Sequence, residues 1–180
     1  MRLALYGIIE DRGHKTLNLG ARIDRLLAQL VPACVQCYGE RLVSVVVFGS
    51  VGRGAPRPDS DVDVLIVADD LPDGRLRRVA EFRSAEAALA PVLAESAAAG
   101  YRIDLSPVFK TRAELARGSP LLLDLVDDAR ILYDREDFFG AALAHLRARL
   151  DRLQARRVWR GSAWWWDLKP DYRVGEVFEL

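Results

Sequence analysis

Two short apolar runs rich in β-branched residues, Leu42–Phe48 and Asp61–Ala68, bracket a segment punctuated by Gly49, Gly52, Gly54, Pro56 and Pro58. Runs of this length and composition read as strands buried in a sheet, and the Gly/Pro segment between them as a loop with at most a short helix. The second run also carries Asp61 and Asp63 among Val, Leu and Ile. A carboxylate in such a strand is costly to bury unless a partner compensates it or its pKa rises. A sheet built on these runs must therefore supply something that neutralises the acids.

Side chains alternate along a strand, so Asp61 and Asp63 share one face while Val62 and Val64 point to the other. Paired carboxylates on one face suit a hard divalent cation, or two, because Mg²⁺ takes oxygen ligands and draws the remainder from substrate phosphates. Asp104 stands in a further strand-like stretch, Tyr101–Phe109, and falls beside the pair if the two strands are neighbours. Two cations held by three carboxylates fit an in-line displacement at phosphorus. The loop supplies the other half. Gly49 lets the backbone approach a phosphate, Ser50 offers a hydroxyl and an N–H, and Gly52 and Gly54 leave further amides accessible. A short helix starting here would favour negative charge at its N-terminus, with Arg53 and Arg57 available to pair with it. The plainer reading makes Gly-Ser a tight turn, Asp59 and Ser60 turn caps, and Asp61 a solvated strand start. Joint occurrence with Arg53 and a third strand carboxylate favours the site.

This stretch resembles the nucleotidyltransferase superfamily typified by DNA polymerase β, and within it the minimal nucleotidyltransferase (MNT) branch. The family pattern is Gly-Ser, a loop, Asp-x-Asp, and a third carboxylate on a later strand. Here Gly49-Ser50 is followed by ten residues, Val51 to Ser60, and then by Asp61-Val62-Asp63. The Arg53-Gly54 pair and Ser60 before the first Asp also fit the branch, and the surrounding strand–loop–strand context extends from Leu42 to Phe109. The resemblance implies a mixed-sheet α/β (α+β) nucleotidyltransferase fold. It implies transfer of a nucleoside monophosphate, AMP from ATP, to a hydroxyl, with pyrophosphate leaving. Gly49 and Ser50, with Arg53 and Ser60, would bind the nucleotide; Asp61, Asp63 and Asp104 would be the catalytic metal ligands for Mg²⁺ in a two-metal site. Asp104 would also help deprotonate the acceptor, although Asp69, Asp70 and Asp124 are alternatives for the third carboxylate. Stand-alone MNT proteins are often paired with a helical HEPN partner as antitoxin and toxin, which implies a protein hydroxyl as acceptor. A small molecule such as an aminoglycoside, or a non-catalytic binding role, is the alternative.

Elsewhere, apolar spacing predicts a helix over Leu17–Tyr38 that Pro32 kinks or splits, and a helix over Arg75–Ala99 interrupted at Pro91. A further helix is expected over Leu121–Asp128, an edge strand over Arg130–Tyr133, and a long helix over Asp137–Trp159. The chain divides into a nucleotidyltransferase unit, residues 1–140, and a C-terminal helix with a Trp-rich tail, residues 141–180, packed on the same domain. On the long helix Arg149, Arg152, Arg156 and Arg160 form one stripe, read as a solvated face before a surface for an acidic partner or nucleic acid. Three consecutive tryptophans cannot all face one way, so one is exposed at an interface or the tail wraps the protein's own helices. The 26 basic and 26 acidic residues cancel, which gives no general field for nucleic acid. No apolar run is long enough to cross a membrane, and no secretory pattern opens the chain, so a cytoplasmic protein is expected. Cys34 and Cys37 lack a second cysteine pair and read as structural thiols. A homodimer is compatible with the sequence but not specified by it.

Overall fold

The computed structural model describes residues 18–57, 61–161 and 163–177. Helix α1 (Leu19–Tyr38) starts where the Asn18 side chain accepts the Ala21 N–H, satisfying one of the donors a helix start leaves unpaired. It runs unbroken through Pro32, as α3 (Arg75–Ala98) does through Pro91. The expected interruptions are therefore corrected. Both prolines are exposed, as are Ala28 and Ala87 four residues before them, so water can take the place of the missing N–H donor.

Strands β1 (Leu42–Phe48), β2 (Val62–Ala68), β3 (Leu105–Lys110) and β4 (Arg130–Asp134) form one sheet in the order β3-β2-β1-β4. β2 and β3 are parallel and the other pairs antiparallel, which makes the sheet mixed and places α3 in the crossover between the parallel strands. β4 is the edge strand the sequence predicts. Alternation along β2 divides its side chains between two apolar layers. Val62, Val64, Ile66 and Ala68 pack with α1 and α3, including Leu26, Leu30, Phe82 and Leu89. Leu65 and Val67 pack on the opposite face with Leu122 and Leu125 of α5 (Pro120–Asp128) and Phe139 of α6 (Phe138–Arg152). Asp63 has the parity of Leu65 and so belongs to the α5 and α6 side. A short helix, α4 (Arg112–Ala116), links β3 to α5 and is closed by a capping box between Thr111 and Glu114.

At the end of β4 the Asp134 carboxylate accepts the Ser44 hydroxyl at 2.6 Å and the Phe139 and Gly140 N–H groups, which fixes the start of α6. That helix ends at Arg152, short of the expected Trp159. Gln154 has a positive φ of 55°, and the chain then forms an antiparallel hairpin of β5 (Arg156–Arg160) and β6 (Ala163–Asp167). The expected arginine stripe does not exist as such, since Arg149 and Arg152 lie on the helix and Arg156 and Arg160 on a strand. Trp165 is 49% exposed on the hairpin, while Trp166 turns inward. Cys34 is buried on α1 and Cys37 half-buried, and both are free thiols. Among the described residues no helix is long and apolar enough to cross a membrane.

Candidate active site

The predicted loop leaves β1 as a single helical turn, α2 (Gly49–Gly52). A helix of one turn carries little of the dipole that the sequence reading assigned to it. Its glycines are required by close approach. Gly49 has φ +66°, and a Cβ there would stand 2.4 Å from Asp63 Oδ2, so the loop backbone lies directly against that carboxylate. A Cβ on Gly52 would meet the Asp128 carbonyl oxygen at 2.2 Å and that of Val47 at 2.9 Å. The turn is thus wedged, backbone to backbone, between β1 and the end of α5. Ser50 is half-buried on this turn, and its carbonyl accepts the Ala55 N–H.

Asp61 is exposed immediately before β2, and Asp63 is half-buried in register with Phe48 on β1 and Ser106 on β3. Asp104 immediately precedes β3. Its carbonyl accepts the Val62 N–H at 2.8 Å, which joins the two strands at this end and sets Asp104 level with Asp61. Its side chain is exposed and paired with Arg102 Nε at 3.1 Å. The other acids considered for the third position lie elsewhere. Asp69 pairs with Arg112 and Arg135 beyond the opposite end of β2, roughly 20 Å from Asp63 at the rise of ~3.3 Å per strand residue. Asp70 follows it in the turn, and Asp124 sits on α5 in the field of Asp128 and Arg157. Ser60 lies outside the described residues.

Burial, and next the charge of Asp61, push the Asp63 carboxyl above the ordinary range, while a hydrogen bond from Ser106 and the charge of Arg53 oppose the rise. These are the compensations that the sequence demanded, and they are incomplete. A cation beside the pair would relieve the remainder. Among the described residues no group of three His, Cys, Asp or Glu side chains converges on one metal position. The donor chemistry of Asp61 and Asp63 nevertheless fits a hard cation that completes its shell with phosphate oxygens and water. Arg53 is not aimed at open space: its Nη1 is 2.5 Å from Asp128 Oδ2, a carboxylate only 6% exposed. Arg57 is exposed.

Two residues of this site escaped the sequence reading. Ser106 could have been found, since it shares the parity of Asp104 on its strand. Asp128 could not, because nothing local ties the end of α5 to the loop. A cavity of about 350 Å³ opens beside the loop, lined among others by Val51, Gly54, Pro56, Ile23 and Arg130. The larger cavity, about 500 Å³ between the α4–α5 link and α6, touches none of the predicted site residues.

The nucleotidyltransferase domain family matches residues 27–132, a span that holds the whole four-stranded sheet except the end of β4 and stops before α6. A Methanocaldococcus jannaschii protein, provisionally named protein adenylyltransferase MJ1305, is 28% identical over 134 residues, covering 73% of this chain and 86% of that protein. A crystal structure of a toxin-antitoxin with AMP-PNP is 16% identical, covering 76% of this chain and 94% of that one, at TM-score 0.35. A variant of the toxin-antitoxin MntA-HpeT is 18% identical with 77% and 94% coverage, at TM-score 0.36. Neither superposition is close enough to inform the site. The family match spans more than half of the chain and includes the Gly-Ser loop, the Asp-x-Asp strand and Asp104, so this protein belongs to the nucleotidyltransferase domain family.

Proposed function

We propose that the chain transfers AMP from ATP to a hydroxyl group on a partner protein. The observation that carries this reading is the close approach of the Gly49 backbone to the Asp63 carboxylate, which supports a glycine-rich turn acting beside the acids of the Asp-x-Asp motif. Gly49 and Ser50 would hold the β and γ phosphates, with Arg53 and Ser60 contributing to nucleotide binding. Asp61, Asp63 and Asp104 would hold Mg²⁺, two ions in the full site, which supplies charge neutralisation at the phosphates. The acceptor oxygen forms a bond to the α-phosphorus as the bond from that phosphorus to the bridging oxygen breaks, and pyrophosphate leaves. The hydroxyl proton passes to Asp104, whose place level with Asp61 is at the open end of the strands. For that role the Arg102–Asp104 pair must open, a small cost for an exposed ion pair.

The name of the Methanocaldococcus jannaschii relative supports AMP as the group and a protein as the acceptor. The biological role as antitoxin to a HEPN-type toxin rests on the MNT resemblance of the Gly-Ser and Asp-x-Asp motif. A second reading, a non-catalytic module that neutralises a partner by binding, is favoured by the exposed Trp159 and Trp165 on the hairpin. The two separate in one experiment. Labelled ATP is incubated with Mg²⁺, the protein and any co-purifying protein, for wild type and for Asp61→Asn with Asp63→Asn. Label on the acceptor with wild type alone is expected. Equal behaviour of both, with partner binding intact, would replace catalysis by the binding role.

A further inference from the structure

The Asp128 carboxylate is buried at the end of α5 and yet meets two guanidinium groups from distant parts of the chain. Arg53 Nη1, from the nucleotide loop, is 2.5 Å from one oxygen, and Arg157 Nη1, from the C-terminal hairpin, is 3.4 Å from the other. Arg157 is 12% exposed, lies 3.6 Å from Asp127, and stacks its guanidinium carbon 5.4 Å from the centroid of the Trp166 ring. Asp124 is also within the field of Arg157. The main chain reports the same docking independently, since the Gly52 backbone is pressed on the Asp128 carbonyl.

We propose that Asp128 is a positioning residue for nucleotide binding: it holds Arg53 beside the Gly49–Gly52 turn, and Arg157 with Trp166 makes the C-terminal hairpin a support of that site. The inference rests on the proposed role of Arg53 at the triphosphate. An arginine on a glycine-rich loop otherwise loses much side-chain entropy on binding a phosphate. The pair with Asp128 occupies Nη1, and the guanidinium is a planar fork whose other donors can face a ligand. Asp128 can serve this purpose only while its own buried charge is balanced, because an unpaired buried carboxylate is strongly unfavourable. Arg157 provides the second cation, and the flat face of Trp166 holds Arg157 in place. Asp128 lies within the family-matched span, and Arg157 and Trp166 lie beyond it.

The test measures MgATP dissociation constants and, where turnover is detected, KM and kcat. The proteins are wild type, Arg53→Ala, Asp128→Asn, Arg157→Ala, Arg157→Lys and the two double variants that combine Arg53→Ala with Asp128→Asn or with Arg157→Ala. Melting curves accompany every protein, and binding is measured well below each melt. Asp128→Asn and Arg157→Ala are each expected to weaken MgATP binding roughly tenfold and to raise KM more than they lower kcat. In the Arg53→Ala background neither should weaken binding further by more than about twofold, because the group they position is gone. Arg157→Lys should recover only part of the loss, since an ammonium cannot stack and pair as the fork does. Full additivity in the double variants, or unchanged binding with a lowered melt, would reduce Asp128 to a structural role. If Asp128→Asn does not fold, Arg157→Ala alone carries the same test. Wild type that binds no MgATP would overturn the nucleotide reading itself and this inference with it, whereas binding equal in wild type and variants overturns this inference only.

Discussion

Gly49→Ala tests the contact on which the site is built. Gly49 has φ +66°, a conformation that costs an L-residue about 1–2 kcal/mol. For a chain of this size that lowers Tm by roughly 2–8 °C. Steric overlap comes in addition. The new Cβ would stand 2.4 Å from Asp63 Oδ2, and ordinary contact begins near 3.4 Å, so the carboxylate or the loop must move by 3.4 − 2.4 = 1.0 Å. A displacement of about 1 Å at a reacting group costs on the order of 100-fold in rate. Gly74→Ala is the control away from the site. Its φ is +85°, and nothing lies within 4 Å of the position its Cβ would take, so it bears the backbone cost without touching the site. Thermal melts and ATP-dependent labelling of the acceptor are measured on both. Both should melt below wild type, with labelling lost on the order of 100-fold in Gly49→Ala alone. Equal labelling by the two variants would show that Asp63 tolerates the shift and would refute the argument that this contact sets the catalytic geometry.

Removing divalent cations with a chelator should abolish labelling and weaken ATP binding, and adding Mg²⁺ should restore both; turnover that survives exhaustive chelation would count against the carboxylate assignment. The Glu114 carboxyl is held down to about 2 by its hydrogen bonds from Arg78, helped by the Thr111 N–H. Its folded pKa therefore lies below the ordinary glutamate value of 4.5, so its stabilisation is complete above that pH and disappears as pH falls toward about 2. Glu114→Gln keeps an acceptor for Thr111 but loses the charge, so it should melt lower than wild type at neutral pH and converge with it in acid; a constant difference across that window would refute the assignment. Burial pushes the Cys34 thiol up to about 12, with a smaller contribution from Cys37. Alkylating reagents at mildly alkaline pH should leave Cys34 unmodified in the folded protein and modify it on unfolding, as mass spectrometry would show.

The first two strands and the face of Asp63 were legible because a β-branched run with period-two polarity has few alternative placements in a sheet, whereas the strand expected over Tyr101–Phe109 begins only at Leu105 and leaves Asp104 just outside it. Leu42–Phe48 forms a strand over the residues expected, and Asp63 keeps the parity of Leu65 and Val67. The level of Asp104 was not legible, since it depends on the register of the parallel β2/β3 pair, and α3 and the crossover determine that register. Arg53 illustrates a different limit. Its residue type and spacing mark it as a phosphate partner, but the group it contacts is Asp128, 75 residues away, and only packing of α2 on α5 brings them together. At the C-terminus two local signals compete. Arginines at steps of three and four residues suggest one helical face, while Arg-Arg-Val-Trp-Arg and Ala-Trp-Trp-Trp-Asp around Gly161 suggest a hairpin. Leu150 is the last buried residue of α6, so continuing the helix past it would bury no further apolar face. The hairpin instead sets Val158 opposite Trp165 and Arg157 opposite Trp166. Cross-strand pairs of this kind contribute roughly 0.2–1 kcal/mol each. Docking of Arg157 on Asp128 adds a tertiary anchor that the helical alternative would have to form from another geometry. The arginine spacing carried no information about that anchor, because its value depends on an acid at the end of α5.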